Sequence, residues 1–144
     1  MNNSNRTSSL CWEDYNDWQD EWQEFYDCFG DCDFATQIIR MKRNDPEVDC
    51  LKLWNVGVYG GDDDGWDHVW TRLENIIGEN EYVDAVKLCY CVFLTWTWFG
   101  RALGRNVSIT QLTIGTCDVD WVALSYGLQS NQSIQKLFLE DIEL

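Results

Sequence analysis

One arrangement of apolar positions, apolar-x-x-apolar-x-apolar, returns four times along the chain. It reads Val48, Leu51, Leu53, then Val83, Val86, Leu88, then Ile109, Leu112, Ile114, then Ile134, Leu137, Leu139. The first members lie 35, 26 and 25 residues apart, so two intervals are regular and one holds an insertion. An asparagine closely precedes each pattern: Asn44, Asn80, Asn106 and Asn131. Ten residues before the last three asparagines stand Trp70, Trp96 and Trp121, expected to form one ladder. Seven before stand Leu73, Phe99 and Leu124, and three before stand Ile77, Leu103 and Leu128. Steps of three and four mark one face of a helix. Each unit is therefore predicted to be a short strand, a turn and an amphipathic helix that returns to the next strand. One strand and one helix cannot enclose a core, so neighbouring units must cover each other, with a parallel sheet inside and helices outside. Each buried rung of such a ladder contributes roughly 1.5–3 kcal/mol of transfer free energy, before entropy is subtracted.

The segment ahead of the repeats has a different pattern. Over residues 12–29, Trp12, Tyr15, Trp18, Trp22, Phe25, Tyr26 and Phe29 fall within about a 140° arc at helical spacing, with acidic residues opposite. Gly30 is expected to end this helix. A second helix is expected from Asp33, as N-cap, to Arg43, with Arg40, Lys42 and Arg43 suited to its C-terminal end. Residues 1–9 read as a disordered tail and residues 10–44 as a helical cap over the open end of the repeats. The acidic-aromatic helix has a rival reading, as a docking element for a partner's groove.

Two phrases carry a resemblance. Val83-Asp84-Ala85-Val86-Lys87-Leu88-Cys89-Tyr90-Cys91 and Ile109-Thr110-Gln111-Leu112-Thr113-Ile114-Gly115-Thr116-Cys117 resemble the leucine-rich-repeat signature LxxLxLxxN/C, with Cys91 and Cys117 at its last position. The helical second half and the 25–26-residue period resemble the ribonuclease-inhibitor-like subclass. The resemblance implies an α/β fold, a βα solenoid of about three and a half units over residues 45–144. It also implies non-catalytic protein binding through the concave face of the sheet. It covers about Phe34 to Leu144, and departs from the family in the enlarged first unit, the shortened fourth unit and the many tryptophans. The run Ile38-Ile39-Arg40-Met41-Lys42-Arg43-Asn44-Asp45-Pro46 before a strand is also similar to the lead-in of the repeat domain of tropomodulins, and marks the fold.

Strand alternation then assigns the binding face. Cys50, Lys52 and Trp54 point to it from the first unit, Ala85, Lys87 and Cys89 from the second, Gln111, Thr113 and Gly115 from the third, and Lys136, Phe138 and Glu140 from the fourth. The candidate binding residues are Lys52, Trp54, Lys87, Gln111, Thr113, Lys136 and Phe138, a basic-aromatic patch on an acidic body. Leu137, Leu139 and Ile142 have no following helix to cover them. Either the chain belongs to a longer array, or this open edge pairs with another chain.

Composition narrows the remaining classes. The 144 residues carry a formal charge of −15, which lacks the field of a nucleic-acid binder and leaves an inhibitor-like acidic binder of a basic protein as an alternative. A hydrophobic content of 45% is ample for a core. No apolar stretch follows the polar Met1 to Ser9, so no secretory signal is read there. The longest charge-free run, Leu88 to Gly100, has 13 residues and is too short to cross a bilayer. Seven cysteines without a signal read as reduced thiols of a cytoplasmic protein. The sequons at Asn106 and Asn131 are explained by the repeat, whose asparagines are expected to begin the turn from helix into strand, where Asn tolerates the left-handed conformation and bonds nearby backbone.

Chemistry is sparse. Cys28-x-x-x-Cys32 and Cys89-x-Cys91 lack the spacing of a zinc site. The acidic loop Gly60 to Gly65 lacks the ligand order of a calcium loop and reads as the insertion. His68 is the single histidine and has no predicted nucleophile beside it. No phosphate- or dinucleotide-binding motif is present. The expectation is a protein that is not an enzyme and takes no cofactor and no metal.

Overall fold

The computed structural model describes residues 12–55, 67–91 and 96–141, with residues 12–18 and 67 as backbone alone. The expected tail, the Gly60–Gly65 loop and Ile142 lie outside the described residues. In chain order the elements are α1 (Trp12–Phe29), α2 (Cys32–Lys42), β1 (Cys50–Trp54), α3 (Asp67–Glu79), β2 (Ala85–Cys89), α4 (Thr97–Arg105), β3 (Gln111–Gly115), α5 (Trp121–Ser130) and β4 (Lys136–Glu140). The strands form one parallel sheet in the order β1-β2-β3-β4. Parallel neighbours need a crossover between them, and a helix is what the sequence places there.

Register turns the repeated apolar pattern into rows. Leu51, Val86, Leu112 and Leu137 face one another across the sheet, as do Leu53, Leu88, Ile114 and Leu139. The first three of each row are buried against the helices, while Leu137 and Leu139 are 47% and 40% exposed. Among the described residues no strand follows β4 on its outer side. On the helical layer, α3, α4 and α5 pack side by side in order. Leu73, Ile77, Phe99, Leu103 and Leu124 face the core as the three-and-four spacing requires. The Trp70 ring, expected in a ladder with Trp96 and Trp121, meets Trp98 at 5.0 Å and the edge of Phe29 at 5.6 Å. Trp98 is thus a core residue, while Trp96 spends its indole N–H on the Asp118 carbonyl, at 3.1 Å.

Two glycines set how close the last two helices come. Gly100 of α4 and Gly127 of α5 face each other. A Cβ on Gly127 would fall onto the Gly100 carbonyl, and one on Gly100 would sit 2.7 Å from the Ala123 oxygen. Backbone meets backbone here, with no room for a methyl group.

The asparagines bond the nearby backbone as expected, but without the left-handed conformation. Asn106 and Asn131 are extended, at φ −70° and −76°. Each instead joins two units. Asn106 accepts from the Ser108 and Ile109 N–H groups, both at 2.7 Å, and donates to the carbonyls of Ile77 and Asn80 in the preceding unit. Asn131 repeats this with Ser133, Ile134, Leu103 and Asn106, and Asn80 accepts from Tyr82 and Val83 while donating to Met41. Among the described residues, the left-handed ones other than glycine are Asn44 and the four that follow the strands, Asn55, Tyr90, Thr116 and Asp141, with φ between 47° and 57°. Their recurrence in register makes the turn after each strand a repeated device, held even by Tyr90 and Thr116, whose types disfavour it.

At the other end, Gly30 (φ 67°) closes α1 as expected, donating to the Tyr26 carbonyl at 2.7 Å. The N-cap of α2 is Asp31 and not Asp33. Asp31 is extended (φ −131°) and accepts from the Phe34 N–H at 2.8 Å, whereas Asp33 lies inside the first turn. The side chains of Trp12, Tyr15 and Trp18 lie outside the described set. Phe25 and Phe29 are buried, and Trp22 stacks on Tyr26 and donates to the Thr36 hydroxyl at 2.9 Å. The inner aromatics of α1 are therefore occupied within the chain.

The acidic side of α1 is also partly engaged. Glu21 pairs with Lys42 and, at 2.7 Å, with Arg72, and Glu24 pairs with Arg72 and His68. Arg72 additionally lies over the Phe25 ring, 5.0 Å from its centre. Burial alone would raise the Glu21 carboxyl, but Lys42 and then Arg72 outweigh it and hold it below its ordinary value of 4.5. A depressed carboxyl stabilises the fold above its unfolded pKa, and this contribution is lost as pH falls through the lower folded value. Arg72→Ala should cost about 1–3 kcal/mol, by removing two partly buried ion pairs and one cation–π contact. Amide exchange should show α1 opening before α4, and the variant should lose less further stability on acidification than the parent.

Candidate functional site

The strand residues pointing away from the helices form three rows. Lys52, Lys87, Thr113 and Phe138 make the central row, Cys50, Ala85, Gln111 and Lys136 the first, and Trp54, Cys89, Gly115 and Glu140 the third. All seven candidate residues thus share one face. Lys52, Trp54, Lys87, Lys136 and Phe138 are exposed, while Gln111 and Thr113 are half-buried between neighbouring strands.

Lys52 and Lys87 are directly paired across β1 and β2. Strands in a sheet lie about 4.8 Å apart, and like charges in that arrangement destabilise the sheet. The backbone under Lys52 is fixed from the side. The Gln37 amide of α2 accepts from the Lys52 N–H at 2.8 Å and donates to its carbonyl at 3.0 Å. One side chain thereby imitates a neighbouring strand and closes the central part of the outer edge of β1.

A groove of about 530 Å³ runs over the C-terminal ends of the strands. Trp54, 62% exposed, stands edge-on to Tyr90, 50% exposed, with ring centres 5.4 Å apart, and together they form one wall. Lys52 and Lys87 lie beside them, and Glu140 and Asp141 form the opposite side. Gly115 lies on the floor, where a Cβ would be in ordinary contact, 3.7 Å from Cys89 Sγ and from Glu140 Cβ. Burial first, then Cys117, Glu140 and Asp141, push the Cys89 thiol up, so it faces the groove uncharged.

Sequence periodicity misses Tyr90 and Asp141, because the left-handed turn brings them to the groove. The signal available was the shared position of residues 55, 90, 116 and 141, one beyond each strand. Periodicity also misses Gln37, whose role depends on a strand 15 residues away. His68 is exposed and bonds Glu24 at 3.3 Å, remote from this face. Among the described residues no group of three or more His, Cys, Asp or Glu side chains is placed to hold a metal ion. Among them, too, no helix is long and apolar enough to cross a membrane.

Neither a family model nor a curated protein matches the chain. Among solved structures it is similar to the actin-binding site 2 of leiomodin-1, with a TM-score of 0.58 at 18% identity. The likeness is one of fold. It covers 75% of this chain and 62% of that one, less than two thirds of the leiomodin segment. The sequential parallel sheet with a helix between successive strands is compatible with a leucine-rich-repeat arrangement.

Proposed function

We propose that the chain is a non-catalytic protein-interaction module of the leucine-rich-repeat type, of the ribonuclease-inhibitor-like subclass, that receives its partner on the open face of the sheet. The observation that carries this reading is the Lys52–Lys87 pair, two like charges held side by side and exposed between Trp54 and Phe138. Such a pairing weakens the sheet, and an anionic group of a partner would relieve the repulsion. The exposed aromatics supply the rigid apolar anchors that dominate protein interfaces. The fitting partner segment carries carboxylates for the lysines and an apolar side chain for the aromatic wall. Actin binding, named for the leiomodin-1 segment, supports protein binding as the class of function. No residue of that segment is carried over.

The double variant Lys52→Glu with Lys87→Glu separates this reading from a purely structural one. Immobilised parent protein should capture a partner from lysate at low salt, and less of it at physiological salt. The variant should capture none, with an unchanged melting temperature because both side chains are exposed. Equal capture by both proteins would overturn the assignment of the face.

A further inference from the structure

Cys91 and Cys117 sit two residues beyond the ends of β2 and β3, and the register Cys89↔Gly115, carried on by two, sets them opposite each other. The Cys91 N–H donates to Cys117 Sγ at 3.4 Å, and the Cys91 thiol donates to the Leu53 carbonyl at 3.1 Å. The Tyr90 N–H, turned by the residue's φ of 57°, donates to the Gly115 carbonyl at 3.3 Å, and the Cys117 thiol donates to the same carbonyl at 3.2 Å. The two sulfurs are thus held on adjacent turns, with the Cys91 N–H on Cys117 Sγ. The Cys91 thiol as neighbour is the main lowering influence on Cys117. Burial opposes it, the N–H groups of Cys91 and Tyr90 assist, and the Cys117 thiol is held at about 7. Cys117 is half-buried and within reach of a small oxidant, whereas Cys91 is buried.

We infer that Cys117 and Cys91 form a peroxide-reactive thiol pair, in which Cys117 is the nucleophile and Cys91 resolves it to an intramolecular disulfide. The Cys117 thiolate attacks one oxygen of hydrogen peroxide. An S–O bond forms as the O–O bond breaks, and the departing hydroxide takes a proton to become water. Sulfur is oxidised to the sulfenic acid and peroxide is reduced. The Cys91 sulfur then attacks Cys117 sulfur, the S–S bond forms, the S–O bond breaks, and hydroxide leaves with the Cys91 proton as a second water. Two thiols and one peroxide give one disulfide and two waters. Adjacent strands stand about 4.8 Å apart, within the Cα separation a disulfide spans. The link would tie the end of β2 to the end of β3 beneath Tyr90, at the mouth of the groove.

The test uses the reduced full chain, hydrogen peroxide as probe, and alkylation of every thiol left afterwards. Chymotryptic cleavage after Tyr90 separates Cys89 from Cys91, so non-reducing peptide mass spectrometry assigns the link. The first product should be Cys91–Cys117, with the other five cysteines of the sequence, Cys11, Cys28, Cys32, Cys50 and Cys89, alkylated. At pH 7, Cys117 should react faster than free cysteine, whose thiol is mostly protonated there. In Cys91→Ala, Cys117 should stop at a sulfenic acid trapped by dimedone, and in Cys117→Ser, Cys91 should stay reduced. A different first pair, or a Cys117 no faster than free cysteine, would overturn the inference using the unaltered protein alone.

Discussion

Replacing Gly127 by alanine should destabilise the protein by about 3 kcal/mol, the upper end of the range for forcing bulk into a packed interior and a large share of a small domain's stability. The new methyl group would meet the backbone carbonyl of Gly100, which no rotamer change can move aside. Relief would require α4 and α5 to separate, and Phe99 and Leu103 on α4 and Leu124 on α5 would lose their contacts together. Gly104→Ala provides the comparison. Its Cβ would lie 3.1 Å from the Gly127 oxygen and 3.3 Å from the Ser130 side chain, a tight fit that a small shift accommodates. Thermal unfolding should therefore rank the parent and Gly104→Ala well above Gly127→Ala. Equal melting temperatures for the two variants would show that α4 and α5 cross elsewhere.

Asn106→Ala should be nearly as costly, at about 3 kcal/mol, because each buried polar group left without a partner costs about 1–3 kcal/mol. The substitution strips the acceptor from the Ser108 and Ile109 N–H groups and the donor from the Ile77 and Asn80 carbonyls. Asn106→Asp isolates the two halves. It keeps an acceptor for its own turn, loses both donated bonds to the preceding unit, and adds a charge at a buried position. Chemical denaturation should find both variants destabilised, with the aspartate variant recovering as pH is lowered and its carboxyl is neutralised. Recovery fails for the alanine variant, which has nothing to titrate.

The parts of the fold that were legible in sequence are those set by solvent exclusion. Leu51, Val86 and Leu112 had to lie on one side of a strand, and Leu73, Phe99 and Leu124 on one side of a helix, whatever their neighbours. The open face followed from the same alternation, which is why Lys52, Lys87, Thr113 and Phe138 could be aligned in advance. What stayed hidden depends on backbone angles and on distant pairings. Asp31 and Asp33 are equally good caps by type. Gly30 stops α1 at φ 67°, and Asp31 is the residue that is extended next, with its carboxylate at the Phe34 N–H. Tyr90 and Thr116 take left-handed angles that their types disfavour, so composition pointed away from the turns that build the groove. Asn106 looked like a local turn residue because its partners in the preceding unit, Ile77 and Asn80, are 29 and 26 residues distant.

The Gln37 amide has a further consequence, for assembly. A parallel sheet has two edges, and a chain able to join both would add copies head to tail without limit. Here the central outward N–H and carbonyl of β1 are already taken, by Gln37. A further strand cannot add to the centre of β1 without displacing that side chain, so one glutamine bars head-to-tail growth through this edge.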